Sequence, residues 1–94
     1  MAKKLLLFIF LIISLVSSAA DANRKFTLCI DPGHGGKDTG APGSKSVEKN
    51  INLSVALAFG RYVERNCPDV TVVYTRKTDV FIPLYERAEI ANRK

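Results

Sequence analysis

Apolar positions in this chain fall into one solid block followed by four shorter, periodic stretches. Residues 5–16 (LLLFIFLIISLV) place eleven apolar side chains in twelve. Phe26-Thr27-Leu28-Cys29-Ile30 is a short, nearly continuous apolar run, the pattern of a strand covered on both faces of a parallel sheet. From Val47 the period lengthens. Ile51, Val55, Phe59 and Tyr62 share one helical face, widened by Leu53, Ala56 and Leu57. Ser46 is the expected N-cap, Glu48 falls in the first turn, and Pro68 stops the helix after Asn66. Residues 70–75 (VTVVYT) are β-branched and predict a second strand. Pro83 suits the first turn of a last helix, and Leu84, Arg87, Ala88 and Ala91 continue its spacing.

The order strand, long loop, helix, strand, helix implies a right-handed crossover and two parallel strands, an α/β layer fold. Two parallel strands leave much of their own sheet uncovered. The roughly 72 residues from 23 to 94 would bury only about 60% of their unfolded surface. The expectation is the βαβα opening of a larger fold, truncated before its sheet is complete.

The solid block reads as an address. Lys3 and Lys4 precede it, and Ser17-Ser18-Ala19-Ala20-Asp21-Ala22 supplies small residues at signal-peptidase spacing. Residues 1–22 are expected to be a signal peptide, cleaved after Ala20 or Ala22. A membrane anchor fits less well, since twelve residues cover about 18 Å of a hydrocarbon core roughly 30 Å thick. No Cys stands near the cleavage site for a lipid anchor. Export to the periplasm, cell envelope or beyond follows, with no stable membrane span after cleavage.

The chain carries 14 Lys+Arg against 9 Asp+Glu, a net +5, spread rather than clustered. That spacing argues against nucleic-acid binding, which wants a concentrated basic face. Cys29 and Cys67 could pair in an oxidising compartment. Cys29 reads more simply as a small apolar side chain within a strand.

Residues 31–46 (DPGHGGKDTGAPGSKS) hold five of the six glycines and two of the four prolines. Connections of this kind usually take about 2–6 residues, so a long Gly-rich loop at the carboxyl end of a strand points to a bound object. A phosphate loop fails, because Asp31 stands where the first Gly belongs and Asp38 follows Gly36-Lys37. A dinucleotide fingerprint from Gly33 fails at Asp38. What remains is His34, the only His in the chain, with Glu48 fourteen residues on at the helix start. Together they could begin a zinc site. The same residues also fit an idle loop His and a Glu placed favourably on the helix dipole.

The run Ile30-Asp31-Pro32-Gly33-His34-Gly35-Gly36-Lys37-Asp38-Thr39-Gly40-Ala41, then Glu48-Lys49-Asn50-Ile51-Asn52-Leu53, resembles the opening of the zinc-dependent N-acetylmuramoyl-L-alanine amidases (amidase type 3). Thr75-Arg76 with Asp79, and Leu84-Tyr85-Glu86-Arg87 through Ala91-Asn92, resemble that family's next segment. The resemblance implies an open α/β/α sandwich with a mostly parallel sheet. Residues 23–94 would be the N-terminal part of the catalytic domain. It implies Zn2+ held by two His and one Glu, of which His34 and Glu48 match the first two, and water-driven cleavage of the muramoyl–L-alanine amide of peptidoglycan. The third ligand and the proton-shuttling Glu are expected downstream, so no catalytic residue is assigned here and the 94 residues alone are expected to be inactive.

Asp31 and Arg76 are candidates for supporting the ligands from behind, against a plain turn for Asp31 and a solvated charge for Arg76. Arg87 and Glu86 are expected to serve packing and surface roles. Asn52-Leu53-Ser54 matches a glycosylation pattern but lies in a helix and is read as chance. Peptidoglycan is the expected partner, and a protein activator is left open. The alternative is an exported, non-catalytic envelope-binding module.

Overall fold

The computed structural model describes residues 25–94, so the expected signal peptide lies outside the described residues. Strand β1 (Phe26–Ile30) is followed by helix α1 (Glu48–Asn66), strand β2 (Val70–Tyr74) and helix α2 (Leu84–Arg93). β1 and β2 pair in parallel with Phe26 opposite Val70 and Ile30 opposite Tyr74. Beyond the paired residues, Thr75 N–H donates to the Ile30 carbonyl at 3.0 Å. Element order and strand direction are those of the expected α/β crossover.

The cap of α1 differs from expectation. Val47, not Ser46, occupies the N-cap, in extended backbone and with no side-chain cap. The loop does the capping instead. Glu48 N–H donates to the Ala41 carbonyl and Lys49 N–H to the Thr39 carbonyl, each at 3.0 Å. Two of the free donors at a helix start are thereby satisfied by backbone, which ties the loop to the helix.

The face that α1 turns inward also differs. Ala56, Gly60 and Val63 are its buried residues. The larger Ile51, Val55, Phe59 and Tyr62 stay exposed. Periodicity weighted by side-chain bulk selects the wrong stripe, one residue (about 100°) away. The contact is chosen by small residues. A Cβ at Gly60 would collide with the Tyr74 hydroxyl, so the bare backbone there lets the helix settle on β2. Burial pushes the Tyr74 phenol above its ordinary pKa.

Apolar burial is thin. Ala56 and Val63 are the buried hydrophobics among the described residues, and neither is fully enclosed. β1 is not covered on both faces, since Phe26 is 73% exposed and Leu28, Cys29 and Ile30 are half-buried. Cys29 and Cys67 are both free. Among the described residues, no helix is long and apolar enough to cross a membrane.

Candidate functional site

The long loop leaves β1 at Ile30 and returns to α1 through residues 31–47. Its middle is a tight turn in which Gly35 N–H donates to the Asp38 carbonyl at 2.8 Å and Asp38 N–H to the Gly35 carbonyl at 3.0 Å. His34 enters that turn at φ 62°, in the left-handed region that a non-glycine residue adopts at a cost of about 1–3 kcal/mol. The turn reverses the chain so that the Asp38 carboxylate meets the His34 ring from one side. His34 Nδ1 lies 2.9 Å from Asp38 Oδ2.

The other ring nitrogen faces the helix. His34 Nε2 lies 3.2 Å from Glu48 Oε2, while Glu48 Oε1 accepts the Ala41 N–H at 2.9 Å. Gly40 makes this approach possible. A Cβ there would lie 2.7 Å from both Glu48 Oε1 and His34 Cδ2, so any side chain would wedge the pair apart. The sequence expectation that the loop and the helix start deliver His34 and Glu48 to one place is therefore met in geometry.

The electrostatics follow from these contacts. The hydrogen bond to Asp38 raises the His34 pKa above 6.5, with the Asp38 and Glu48 charges adding to it. Asp38 is held below the usual carboxylate range, first by the His34 bond and then by the Gly40 N–H. Glu48 is likewise lowered, first by the Ala41 N–H.

A metal fits this pair. Two ligands about 2.0–2.2 Å from a tetrahedral zinc stand roughly 3.3–3.6 Å apart, close to the observed separation of Nε2 and Oε2. A carboxylate on the far nitrogen is the usual companion of a metal-bound imidazole, fixing its tautomer and orientation. Among the described residues, no group of three or more His, Cys, Asp and Glu converges on one point. Asp38 stands behind the ring, which leaves His34 and Glu48 as the donors present.

Behind the ring, two arginines hold the loop. Arg76, only 4% exposed, donates to the carbonyls of Pro32 (3.1 Å), Gly33 (2.8 Å), Lys49 (3.1 Å) and Thr78 (3.0 Å). It is not a solvated charge. Arg87, 8% exposed, donates to the carbonyls of Pro32 (2.7 Å), His34 (2.8 Å) and Ile82 (2.9 Å), and to Asp31 Oδ1 (2.7 Å). Its expected packing role understates this. Asp31 also accepts the Thr75 hydroxyl at 2.7 Å, so it braces the loop base and the Arg87 guanidinium, while the carboxylate on His34 itself is Asp38.

A second polar tie closes the loop from above. Lys49 Nζ donates to the Gly36 carbonyl at 3.0 Å and to Asp79 Oδ2 at 2.9 Å, and Asp79 Oδ1 accepts the Gly36 N–H at 2.8 Å. Asn52 Nδ2 donates to the Gly33 carbonyl at 3.3 Å. An open cleft of about 490 Å³ runs beside His34 and Asp38, walled by Phe81, Ile82 and Leu84. Sequence reasoning passed over Asp38, Lys49, Asp79 and Arg87 as site residues. For Asp38 a signal existed, an acid four residues after the His across two glycines. For Arg87, 53 residues from His34, no local signal existed.

Known proteins share this arrangement of chain and motif. The family profile described as N-acetylmuramoyl-L-alanine amidase matches residues 28–94. A probable N-acetylmuramoyl-L-alanine amidase AmiB of Haemophilus influenzae is 44% identical over 70 residues, covering 71% of this chain and 16% of that protein. A sporulation-specific N-acetylmuramoyl-L-alanine amidase of Bacillus subtilis is 38% identical over 63 residues, covering 67% of this chain and 25% of that protein. The solved N-acetylmuramoyl-L-alanine amidase of Clostridium difficile superposes with a TM-score of 0.70 at 37% identity, over 76% of this chain and 39% of that one. AmiC2 of Nostoc punctiforme superposes with a TM-score of 0.65 at 42% identity, over 72% of this chain and 37% of that one. The chain thus spans well under half the length of these proteins. It is a βαβα segment of α/β type, and with residues 28–94 matched this chain belongs to the N-acetylmuramoyl-L-alanine amidase family.

Proposed function

We propose that this chain contributes two zinc ligands, His34 and Glu48, to an exported enzyme that hydrolyses the amide between muramic acid and L-alanine in peptidoglycan. The observation that carries the reading is the pair His34 Nε2 and Glu48 Oε2 at 3.2 Å, each side chain anchored at its other polar atom. Zinc bound there supplies Lewis acidity and a nucleophile available at neutral pH.

This chain's own residues prepare the site. Asp38 accepts a hydrogen bond from His34 Nδ1–H, the tautomer that would leave the Nε2 lone pair free for a metal. The Ala41 N–H occupies Glu48 Oε1 and leaves Oε2 for the metal. The Gly40 backbone keeps the space between the two open. The cleft along Phe81, Ile82 and Leu84 gives the polymer a path to the site. Residues 1–22 act as the export signal that brings the protein to its wall substrate.

The test uses the full-length polypeptide and purified peptidoglycan. New L-alanine amino termini are expected to accumulate, to stop on exhaustive chelation, and to resume when zinc is restored. Persistent hydrolysis after chelation would contradict the metal reading. Binding to the wall without any new amino termini would favour a non-catalytic envelope module.

A further inference from the structure

His34 cannot hold its own place. Glycines flank it on both sides, its backbone sits at φ 62°, and one third of its side chain is open to water. Asp38 and Glu48 orient the ring, but Asp38 lies on the same loop and moves with it. The position of the backbone is set from elsewhere.

Two guanidiniums share that task, and they divide it. Arg76 reaches the carbonyls of Pro32 and Gly33. Arg87 reaches past them to His34, whose carbonyl accepts Arg87 Nη2 at 2.8 Å. The same guanidinium spends Nη1 on the Pro32 carbonyl and Asp31 Oδ1, and Nε on the Ile82 carbonyl just before α2. All three nitrogens of one planar group are committed, to three different directions. They join the loop base, the residue carrying the imidazole, and the start of the last helix.

From this geometry we propose that Arg87 is a positioning residue for the metal site, fixing the His34 backbone through its carbonyl so that the imidazole meets Glu48. The proposal rests on the reading of His34 and Glu48 as zinc ligands. Its chemistry requires Arg rather than any cation. A lysine in the same place keeps one positive charge for Asp31 but has no planar fork, and its single nitrogen cannot reach the His34, Pro32 and Ile82 carbonyls together. The imidazole would then wander on a glycine-flanked hinge, and metal affinity would fall although both ligands are intact.

The experiment measures zinc dissociation constants by competition with a chelator of known affinity, on the full-length polypeptide, alongside thermal unfolding of the metal-free forms. The variants are Arg87→Lys, Asp31→Asn, Val63→Ala and His34→Ala. Arg87→Lys is expected to weaken zinc binding about 10–100-fold, the range for loss of a group that orients a ligand. Asp31→Asn, which loosens the guanidinium without removing it, is expected to weaken binding several-fold. Val63→Ala lowers the unfolding temperature through the core and is expected to leave zinc affinity within about twofold.

Zinc binding by Arg87→Lys within about twofold of wild type would overturn the positioning role. So would an equal affinity loss in Val63→Ala, which would make the effect one of general stability. Should Arg87→Lys not fold, unchanged affinity in Asp31→Asn overturns it by itself. His34→Ala separates the two claims. If it binds zinc like the wild type, the metal reading fails and takes this inference with it. If it loses zinc while Arg87→Lys binds normally, the metal reading stands and the inference alone fails.

Discussion

The loop that carries His34 and the inner stripe of α1 are ordered by opposite means. Along α1 the buried residues are Ala56, Gly60 and Val63, and Tyr74 of β2 lies tightly over the bare glycine. Around the loop almost nothing apolar is buried. Its successive carbonyls at 32, 33 and 34 each accept from a guanidinium, and its turn residue Gly36 is bound through both N–H and carbonyl. Hydrophobic contact tolerates sliding, because it depends on area. Hydrogen bonds to defined carbonyls do not, because they weaken steeply away from line and distance. A metal site demands the second kind of order, and the molecule places it around His34, the ligand proposed above.

That contrast can be attacked from both sides. The largest effect is expected at Gly40. In Gly40→Ala the new Cβ would lie 2.7 Å from Glu48 Oε1 and His34 Cδ2 at φ 65°, so His34 and Glu48 must part. Amidase activity of the full-length polypeptide should fall about 10²-fold, the scale for a displacement of about 1 Å at a reacting centre. Zinc content should fall with it, and near-normal activity would show that the pair need not approach.

Gly60→Ala probes the apolar side. Helix propensity favours the change by about 1 kcal/mol, but the Cβ collides with the Tyr74 hydroxyl, and overpacking costs about 1–3 kcal/mol. The collision is expected to win, with a net loss of about 1 kcal/mol in urea unfolding and no change in zinc affinity. A more stable variant would mean that Tyr74 moves aside freely.

The smallest effect belongs to Asp79. The Lys49 ammonium, and then the Gly36 N–H, hold its carboxyl below the usual value of 3.8. A lowered folded pKa contributes stability above pH 3.8 that is lost as pH falls through the folded value. Asp79 is about half exposed, so solvent screens the contribution and keeps it small. Asp79→Asn should therefore be slightly less stable at neutral pH, and the gap should narrow below pH 3.8. A gap that widens in acid would contradict the assignment.

How much of this was legible beforehand depends on the kind of order. β1, α1, β2 and α2 declare themselves through local periodicity and prolines, and their observed bounds lie within a residue or so of expectation. His34 and Glu48 stood out as a His among glycines and a Glu at a helix start, a pattern that also fits idle residues, and the resemblance of the surrounding motifs singled them out as candidate ligands. The buried face of α1 was not, because small residues set it while bulk dominates the periodic signal. Arg76 was a candidate support from the sequence, but its burial was not legible, nor was the reach of Arg87, because a charged side chain on a strand end or helix usually points to water. Only the folded chain shows that bare loop carbonyls surround them. Asp38 stood in plain sight, four residues from His34, and was weighed only as the residue that breaks two phosphate-binding patterns.

The most direct measurement is anomalous scattering at the zinc absorption edge from crystals of the full-length polypeptide grown with zinc. The account predicts a peak about 2.0–2.2 Å from both His34 Nε2 and Glu48 Oε2, with Asp38 still on Nδ1. A peak elsewhere, or an ordered His34 and Glu48 with no metal between them, would contradict it.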